Sequence, residues 1–227
     1  MEERLKQIAS LVDDQARIAD IGTDHAYLPI ELVKDAKISF AIASDIAQGP
    51  LNNAKKDILA AGLVNQIETR LGSGLLTIHP EDKIDTIVMA GMGGTLMVNL
   101  LNASPTQYPT LILEPNVGEA NVRLWLMNNN YRILTEKIIE TAGHIYEIIK
   151  AVKSTTAVPL TEMEINFGPV LMQNKNKIFY KKWSNQLLFQ QKLLHNLKKA
   201  KVIDDLKVKQ VTKLIMMIEE MIKDDES

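Results

Sequence analysis

The sequence contains no cysteine among its 227 residues, and this absence excludes several classes of protein. A disulfide framework, a thiolate metal site and a cysteine nucleophile all need the missing residue, and its absence fits a reducing compartment. No apolar run approaches the roughly 20 residues of a membrane-spanning helix, and the charged first turn lacks the apolar core of a signal peptide. We therefore expect a cytoplasmic protein that does not enter a membrane.

Neither sign of charge dominates the whole chain, because 26 basic and 28 acidic residues give a formal net charge of -2. The distribution is nevertheless uneven: residues 171–227 hold 12 lysines and seven acids, or +5, which leaves -7 on the other 170 residues. Such asymmetry points towards a nucleic-acid or acidic-surface partner. A solvated helical face is the simpler explanation of the charge alone.

Short apolar runs alternate with amphipathic stretches over the first 155 residues, which is typical of an α/β protein. Five strand-like runs separated by helical stretches predict a parallel sheet covered by helices on both faces. These runs are Arg17–Ile21, Ile38–Ser44, Ile67–Leu71, Ile84–Ala90 and Thr110–Leu113. Two further runs, Tyr131–Glu140 and Ile145–Val152, have no helix between them and predict an antiparallel hairpin. We therefore expect a seven-stranded sheet.

The pattern changes after a linker-like stretch at 155–159. Thr161-Glu162-Met163-Glu164 is a capping box, so a helix should begin there. Two long amphipathic stretches follow, at about 171–200 and at Asp205–Lys223, and we expect them to pair as an antiparallel helical hairpin. The predicted domains are residues 1–158, a cofactor-binding domain, and residues 159–227, a lysine-rich hairpin.

Acidic residues at the first two strand ends indicate the class of cofactor. In a doubly wound sheet, the turn after the first strand is a ligand site. That turn lacks the GxGxxG fingerprint of dinucleotide binding, and Asp20 and Asp24 would repel a phosphate. S-adenosylmethionine carries a sulfonium and an ammonium group but no phosphate, and it fits better. Asp45, at the end of the second strand, is placed to accept hydrogen bonds from ribose hydroxyls.

Glycine-rich ends of the third and fourth strands complete the predicted cofactor site, because missing side chains let a ligand approach the backbone. Each strand end taken singly could be an ordinary turn or helix cap, whereas four in succession favour a cofactor site. The predicted cofactor-binding residues are Asp20, Gly22, Thr23, Asp24, His25, Asp45, Ile46, Gly72, Ser73, Gly74, Ala90, Gly91, Met92 and Gly93. The remaining histidines are isolated, so no metal site is expected.

Five short runs resemble the bacterial tRNA (adenine(22)-N(1))-methyltransferase family. They are DIGTDHAYLP (Asp20–Pro29), SDI (Ser44–Ile46), AGMGG (Ala90–Gly94), EPN (Glu114–Asn116) and FGP (Phe167–Pro169). The resemblance implies a class I, Rossmann-like methyltransferase domain that uses S-adenosylmethionine to methylate N1 of adenine 22 in the tRNA D-arm. Two positions differ from the family pattern: Ser73 stands where we expect aspartate, and Glu114 where we expect glutamine.

Four residues are candidates for the catalytic role in such a reaction. Adenine N1 has a lone pair that attacks the donor directly, so catalysis is mainly positioning and stabilisation of positive charge. Asp24 could stabilise that charge or cap a helix, and His25 could contact cofactor or base or serve as a structural hydrogen-bonding group. Tyr27 could stack on the adenine or pack against the sheet. Asn116 could read the adenine edge or simply form a turn.

The lysine-rich hairpin is the predicted tRNA-binding element, because lysines neutralise backbone phosphates. Its predicted contacts are Lys181, Lys182, Lys198, Lys199 and Lys201. We expect a monomer, with a dimer as the alternative. Two other functions stay open: methylation of a small molecule, for which the hairpin would be dispensable, and a non-catalytic module that binds a partner through the hairpin.

Overall fold

The computed structural model describes residues 2–156, 158–200 and 204–223, and within them the chain forms two compact units. The first unit ends at Met172, and the second begins at Gln173. The strands of the first unit are β1 (Arg17–Ile21), β2 (Phe40–Asp45), β3 (Ile67–Leu71), β4 (Thr86–Met92), β5 (Thr110–Pro115), β6 (Tyr131–Thr141) and β7 (His144–Lys153). Its α-helices are α1 (Glu3–Leu11), α2 (Tyr27–Lys34), α3 (Gln48–Ala60), α4 (Gly94–Ala103), α5 (Glu119–Asn128) and α6 (Glu162–Phe167).

The seven strands form one sheet in the order β3-β2-β1-β4-β5-β7-β6. The first five strands are parallel, whereas β7 pairs antiparallel with both β5 and β6. The predicted parallel sheet with a terminal hairpin is therefore confirmed, and the hairpin folds back so that its second strand lies beside β5. The strand order reverses between β1 and β4, which is where open α/β sheets bind ligands.

Both faces of the sheet are buried at its central strands β1, β2, β4 and β5, which explains why these strands are apolar at successive positions. Ile87 and Leu111 contribute to a core with α4 and α5, whereas the next residues along each strand, Val88 and Ile112, contribute to a core with α1, α2 and α3. Alternate side chains of a strand point to opposite faces, so a strand covered on both sides needs apolar residues throughout. The resulting three layers leave the carboxyl ends of the parallel strands as an open edge.

The second unit consists of α7 (Lys177–Lys198) and α8 (Asp205–Lys223), which pack against each other. Lys175, just before α7, donates from Nζ to the carbonyl of Met221 near the end of α8 at 2.9 Å, so the two helices are antiparallel. The Asn176 side chain caps α7 by accepting from the backbone N–H groups of Ile178 and Phe179 at 2.9 and 3.0 Å. This cap explains why α7 begins at Lys177 rather than near position 171.

The boundary between the two units lies after Met172 and not at 158/159, because tertiary contacts hold the intervening segment to the first unit. Thr161 and Glu164 form the predicted capping box of α6. Beyond that short helix, Glu136 of β6 accepts hydrogen bonds from the backbone N–H groups of Val170 and Leu171 at 2.8 and 3.3 Å. The capping box was visible in the sequence, whereas the contacts with β6 were not.

The segment that follows α6 packs against a buried cluster of charged side chains. Arg123 of α5 pairs with Glu136 at 2.7 Å and with Glu147 of β7, and the three side chains are fully buried. Gly168 packs directly on the cluster: it has φ +88°, and a Cβ there would lie 2.7 Å from both Arg123 Nη2 and Glu136 Oε2. The FGP run therefore contains a glycine that both backbone conformation and packing require.

Replacing Gly168 with alanine should lower the free energy of unfolding by about 3 kcal/mol, because the new methyl group forces apart a buried ion pair and strains a left-handed backbone. Urea denaturation measures the change. Gly143→Ala is the matched control: Gly143 also has a positive φ, +78°, but nothing lies within 4 Å of the position that a Cβ would occupy there. The control should cost only about 1 kcal/mol, and equal losses in the two variants would contradict the packing argument.

Candidate active site

Two adjoining cavities lie at the carboxyl edge of the sheet, beside the ends of β1, β2 and β4. The Asp20 cavity has a volume of about 350 Å³ and is lined by Asp20, residues 22–28, the start of α1 and the end of β4. The Asp45 cavity has a volume of about 330 Å³ and is lined by the ends of β1, β2 and β4, the loop after β3, and α4. Gly22, Ala90 and Gly91 line both cavities, so the two together form one elongated site.

The turn after β1 is held in place by backbone hydrogen bonds to the neighbouring strand. The N–H groups of Gly22 and Thr23 donate to the carbonyl of Ser44 at 2.8 and 3.0 Å. Gly22 has φ +84°, and a Cβ there would lie 2.9 Å from Met92 Cε. Glycine is therefore required for both the turn and the close approach of the Met92 side chain of β4.

Asp20 is a buried carboxylate at the end of β1, with only 9% of its surface exposed. Burial, reinforced by the nearby charge of Asp45, raises its pKa to about 6, although a hydrogen bond with Thr23 opposes the shift. A carboxylate in this environment is best stabilised by a cation, which restores the interactions lost on leaving water. The Asp20 cavity is thus suited to an ammonium or sulfonium group.

Asp45 lies at the end of β2 and lines the second cavity together with Ile46. One of its oxygens accepts from the backbone N–H of Ala47 at 2.7 Å. Helix α3 begins at Gln48 with Ala47 as its cap residue, so Asp45 forms a local turn and is not the helix cap. The preceding Ser44 Oγ is buried and has no hydrogen-bond partner within the described part of the chain.

The glycines after β3 and β4 have different surroundings. Gly74 and Gly91 have positive φ angles. Both line the Asp45 cavity, and Ser73 and Met92 line it as well. Gly72 and Gly93 line neither cavity: Gly72 packs against the Thr77 methyl group, and Gly93 precedes α4 as its cap residue. The assignment of these two glycines to cofactor binding stays a prediction, and the other predicted cofactor-binding residues all line the two cavities.

Three of the four catalytic candidates meet at one end of the Asp20 cavity. The His25 and Tyr27 rings are stacked, with centroids 4.8 Å apart and an interplanar angle of 7°. His25 Nδ1 is 2.7 Å from Asp57 Oδ2, and its Nε2 is 3.7 Å from Asp24 Oδ2. Asp57 of α3, which the sequence did not single out, thereby orients the ring that supports Tyr27. The arrangement presents a half-exposed aromatic platform beside a carboxylate.

Asn116 is separate from that group. It lines neither cavity, its side chain is exposed, and its backbone N–H donates to the carbonyl of Met92 at 2.9 Å. The bond places Asn116 beside the end of β4, at the edge from which a substrate could approach the Asp45 cavity. Its assignment to substrate recognition stays a prediction.

Arg4, on the first helix, also lines the Asp20 cavity, although no motif in the sequence indicated it. Its Nη1 donates to Glu114 Oε2 at 2.7 Å, and the N–H of Gly91 donates to the same oxygen at 3.0 Å. Burial raises the pKa of Glu114, while Arg4 opposes the shift. Glu114, one of the two departures from the family pattern, thus ties α1 and the end of β4 to β5.

Of the predicted RNA-binding lysines, Lys181, Lys198 and Lys199 are exposed, and Lys182 is partly exposed with its Nζ 5.4 Å from the centre of the Trp183 ring. Lys201 lies outside the described residues. Across the described ranges, no group of three or more His, Asp or Glu side chains could hold a metal ion. In the same ranges, no helix is long and apolar enough to cross a membrane.

Comparison with known proteins identifies one family. A family model described as tRNA (adenine(22)-N(1))-methyltransferase matches residues 18–221. The tRNA (adenine(22)-N(1))-methyltransferase of Bacillus subtilis (strain 168) is 35% identical over 207 residues, which cover 88% of this chain and 87% of that protein. The match extends through both compact units.

Solved structures agree with the sequence comparison. A Streptococcus pneumoniae protein in complex with S-adenosyl-L-methionine has a TM-score of 0.88 at 32% identity, covering 97% of this chain and 99% of that chain. M. capricolum TrmK, in complex with the natural cofactor product S-adenosyl-homocysteine, has a TM-score of 0.88 at 34% identity, covering 98% of this chain and 97% of that chain. The Rossmann-like methyltransferase fold predicted for the first unit is confirmed.

Proposed function

Because the chain belongs to the tRNA (adenine(22)-N(1))-methyltransferase family, we propose that its two cavities bind S-adenosylmethionine and present it to an adenine of tRNA. The reaction is S-adenosylmethionine-dependent methylation of N1 of adenine 22. The observation that carries the proposal is the joined pair of cavities, with a carboxylate in each and glycines between them.

The residues that line the cavities fit this cofactor. Asp20 offers a buried negative charge for a cationic group, and Asp45 offers a carboxylate for ribose hydroxyls. The unpartnered Ser44 Oγ, in the wall of the Asp45 cavity, is a buried polar atom that a polar ligand would satisfy. Arg4, which lines the Asp20 cavity and pairs with Glu114, is a basic side chain that suits the carboxylate of the cofactor. The acidic side chains, the arginine and the accessible glycine backbone of the cavities therefore each suit one part of S-adenosylmethionine, which is a small zwitterionic nucleoside.

The chemistry requires no strong base from the protein. When bound, S-adenosylmethionine supplies an electrophilic methyl group, and its transfer to N1 leaves a cationic adenine. Asp24 is placed to stabilise that positive charge, because its side chain is largely exposed beside the aromatic platform. Tyr27 stacks on the adenine, and His25, fixed by Asp57, holds the Tyr27 ring. Asn116 contacts the edge of the base at the mouth of the site.

The second unit binds the tRNA backbone. Exposed lysines on α7 and immediately after it, together with Lys201, neutralise phosphates and hold the folded RNA. In this proposal the first unit carries out the methyl transfer, and the second unit supplies most of the affinity for the RNA backbone. With tRNA as its substrate, we expect the protein to act in the cytoplasm and as a monomer.

Methylation of unmodified total tRNA with labelled S-adenosylmethionine tests the function. The expected result is incorporation of one methyl group as 1-methyladenine in the D-arm, identified by nuclease digestion and mass spectrometry. A variant in which Asp20 is replaced by asparagine, which should bind the cofactor more weakly, serves as the control and should incorporate less methyl group at limiting S-adenosylmethionine. Binding of the cofactor without any incorporation into tRNA would contradict the proposal and favour a small-molecule substrate.

A further inference from the structure

A third cavity adjoins the Asp20 cavity on the side away from the Asp45 cavity. It has a volume of about 560 Å³ and lies between the start of α1, α2 and the end of α3. We call it the Glu31 cavity. It shares Glu2, Leu5 and Tyr27 with the Asp20 cavity but no residue with the Asp45 cavity. Its size is within the range of small-molecule and cofactor pockets, and the reaction described above leaves it without a role.

The lining of the Glu31 cavity combines an apolar floor with an acidic rim. Leu5, Ile30, Ala60 and Ala61 supply the apolar surface, and Tyr27 supplies an aromatic side chain that is 53% exposed. The charged lining residues are Glu2, Glu31, Asp57 and Lys34. Three carboxylates against one ammonium group disfavour a phosphate inside the cavity, whereas they provide acceptors for N–H donors.

The surroundings of the cavity differ from its interior. Lys55 and Lys56 are exposed and directly precede Asp57 on α3. Residues four apart share a helix face, so Lys56 is the neighbour of Ala60, which lines the cavity. A ligand that fits this pattern is flat, carries N–H donors at one edge, and has its phosphate outside among the lysines. A nucleobase of an RNA chain has these three properties.

We propose that the Glu31 cavity receives the base of a nucleotide directly adjacent to the target adenine. The inference rests on the function proposed above, because it takes tRNA as the substrate. Extracting an adenine from a folded RNA leaves its neighbour without a stacking partner. Tyr27, which lines both the reacting site and the Glu31 cavity, stands between the two bases, and the apolar floor replaces the lost stacking. The exocyclic amino group of an adenine, guanine or cytosine donates to the acidic rim.

The experiment first blocks the Glu31 cavity with a larger side chain and then removes the adjacent base from the tRNA. Ala60→Trp places a large side chain at the exposed end of α3, and Ala103→Trp, at the exposed end of α4, is the matched control because Ala103 lines none of the three cavities. With unmodified tRNA, A60W should raise KM about tenfold, which corresponds to the loss of one base-stacking contact. The kcat and the affinity for S-adenosylmethionine should equal those of the control.

Synthetic tRNAs that are abasic on the 5′ or the 3′ side of the target complete the experiment. For one of them the KM of the unsubstituted protein should rise about tenfold, and A60W should add nothing further, because the base that it blocks is absent. Glu31→Ala provides a second variant should A60W unfold; it should raise KM for the intact tRNA but not for that abasic tRNA.

Three results would overturn the inference. The first is an unchanged KM in both cavity variants. The second is a rise in KM that persists with both abasic tRNAs. The third is a loss of kcat at saturating tRNA with normal cofactor affinity, which would mean that the cavity holds the target adenine itself. Failure of the unsubstituted protein to methylate any tRNA would instead contradict the proposed function, so the two failures are distinguishable.

Discussion

Replacing Asp20 with asparagine is expected to weaken the binding of S-adenosylmethionine by roughly 10- to 100-fold at pH 7. The substitution keeps the shape of the side chain but removes a buried negative charge opposite a cationic ligand, and a hydrogen bond to a charged group is worth about 1.5–3 kcal/mol. Isothermal titration calorimetry measures the affinity. Affinity equal to that of the unsubstituted protein would show that Asp20 does not face the cationic part of the cofactor.

The same residue should make cofactor binding depend on pH. The pKa of Asp20 is raised to about 6 by burial, so the fraction of ionised carboxylate falls steeply below that pH. If the cofactor requires the ionised form, its Kd should rise about tenfold between pH 7 and pH 5. D20N should abolish this dependence. Asp45→Asn is the control: it should weaken binding at every pH and keep a pH dependence, with the profile displaced to lower pH because the charge of Asp45 contributes to the raised pKa of Asp20.

D20N should also stabilise the protein in the absence of cofactor. A carboxylate whose pKa is higher in the folded than in the unfolded state destabilises the fold when it is ionised, so stability is lost as the pH rises from about 4 through about 6. At pH 7 the asparagine removes a penalty of up to about 3 kcal/mol. Urea denaturation at pH 7 and at pH 4 measures the effect, which should be present at the higher pH and small at the lower.

Neutralising four lysines of the second unit should separate RNA binding from cofactor binding. Simultaneous replacement of Lys181, Lys182, Lys198 and Lys199 with alanine should weaken tRNA binding roughly 100-fold at about 0.1 M salt, and the slope of log K against log salt should fall by about 3 to 4. Fluorescence anisotropy with labelled tRNA measures both quantities. The affinity for S-adenosylmethionine should not change, because the lining of the two cavities proposed to bind it lies in the first unit.

The matched control replaces the same four lysines with arginine. Arginine keeps the charge, so tRNA binding should remain close to that of the unsubstituted protein. Lys182 also lies over the Trp183 ring, and the arginine variant preserves that contact as well. Equal loss of tRNA and cofactor affinity in the alanine variant would contradict the division of labour between the two units.

Local sequence pattern was sufficient for the fold and for most of the residues that line the two cavities. Strands β1 and β3 begin and end at the predicted residues, because side-chain periodicity and flanking turn residues act within a few positions of the chain. Asp20, Asp45 and Gly91 lie at the carboxyl ends of strands that are parallel neighbours, so their meeting at one edge was already implied by the topology. The position of Asn116 outside both cavities was not implied, because it depends on how the turn after β5 leaves the sheet.

Contacts between residues far apart in the chain were decided by the tertiary structure. Arg4 reaches Glu114 across 110 positions, and His25 meets Asp57 only because α3 packs beside the turn after β1. For the same reason, the boundary between the two units lies after Met172 and not at 158/159, since Glu136 accepts hydrogen bonds from the segment after α6. The sequence by itself determined which elements form and which strand ends carry acids and glycines. Only packing decided how deeply Asp20 is buried, and therefore its pKa, because desolvation depends on neighbours that no local pattern specifies.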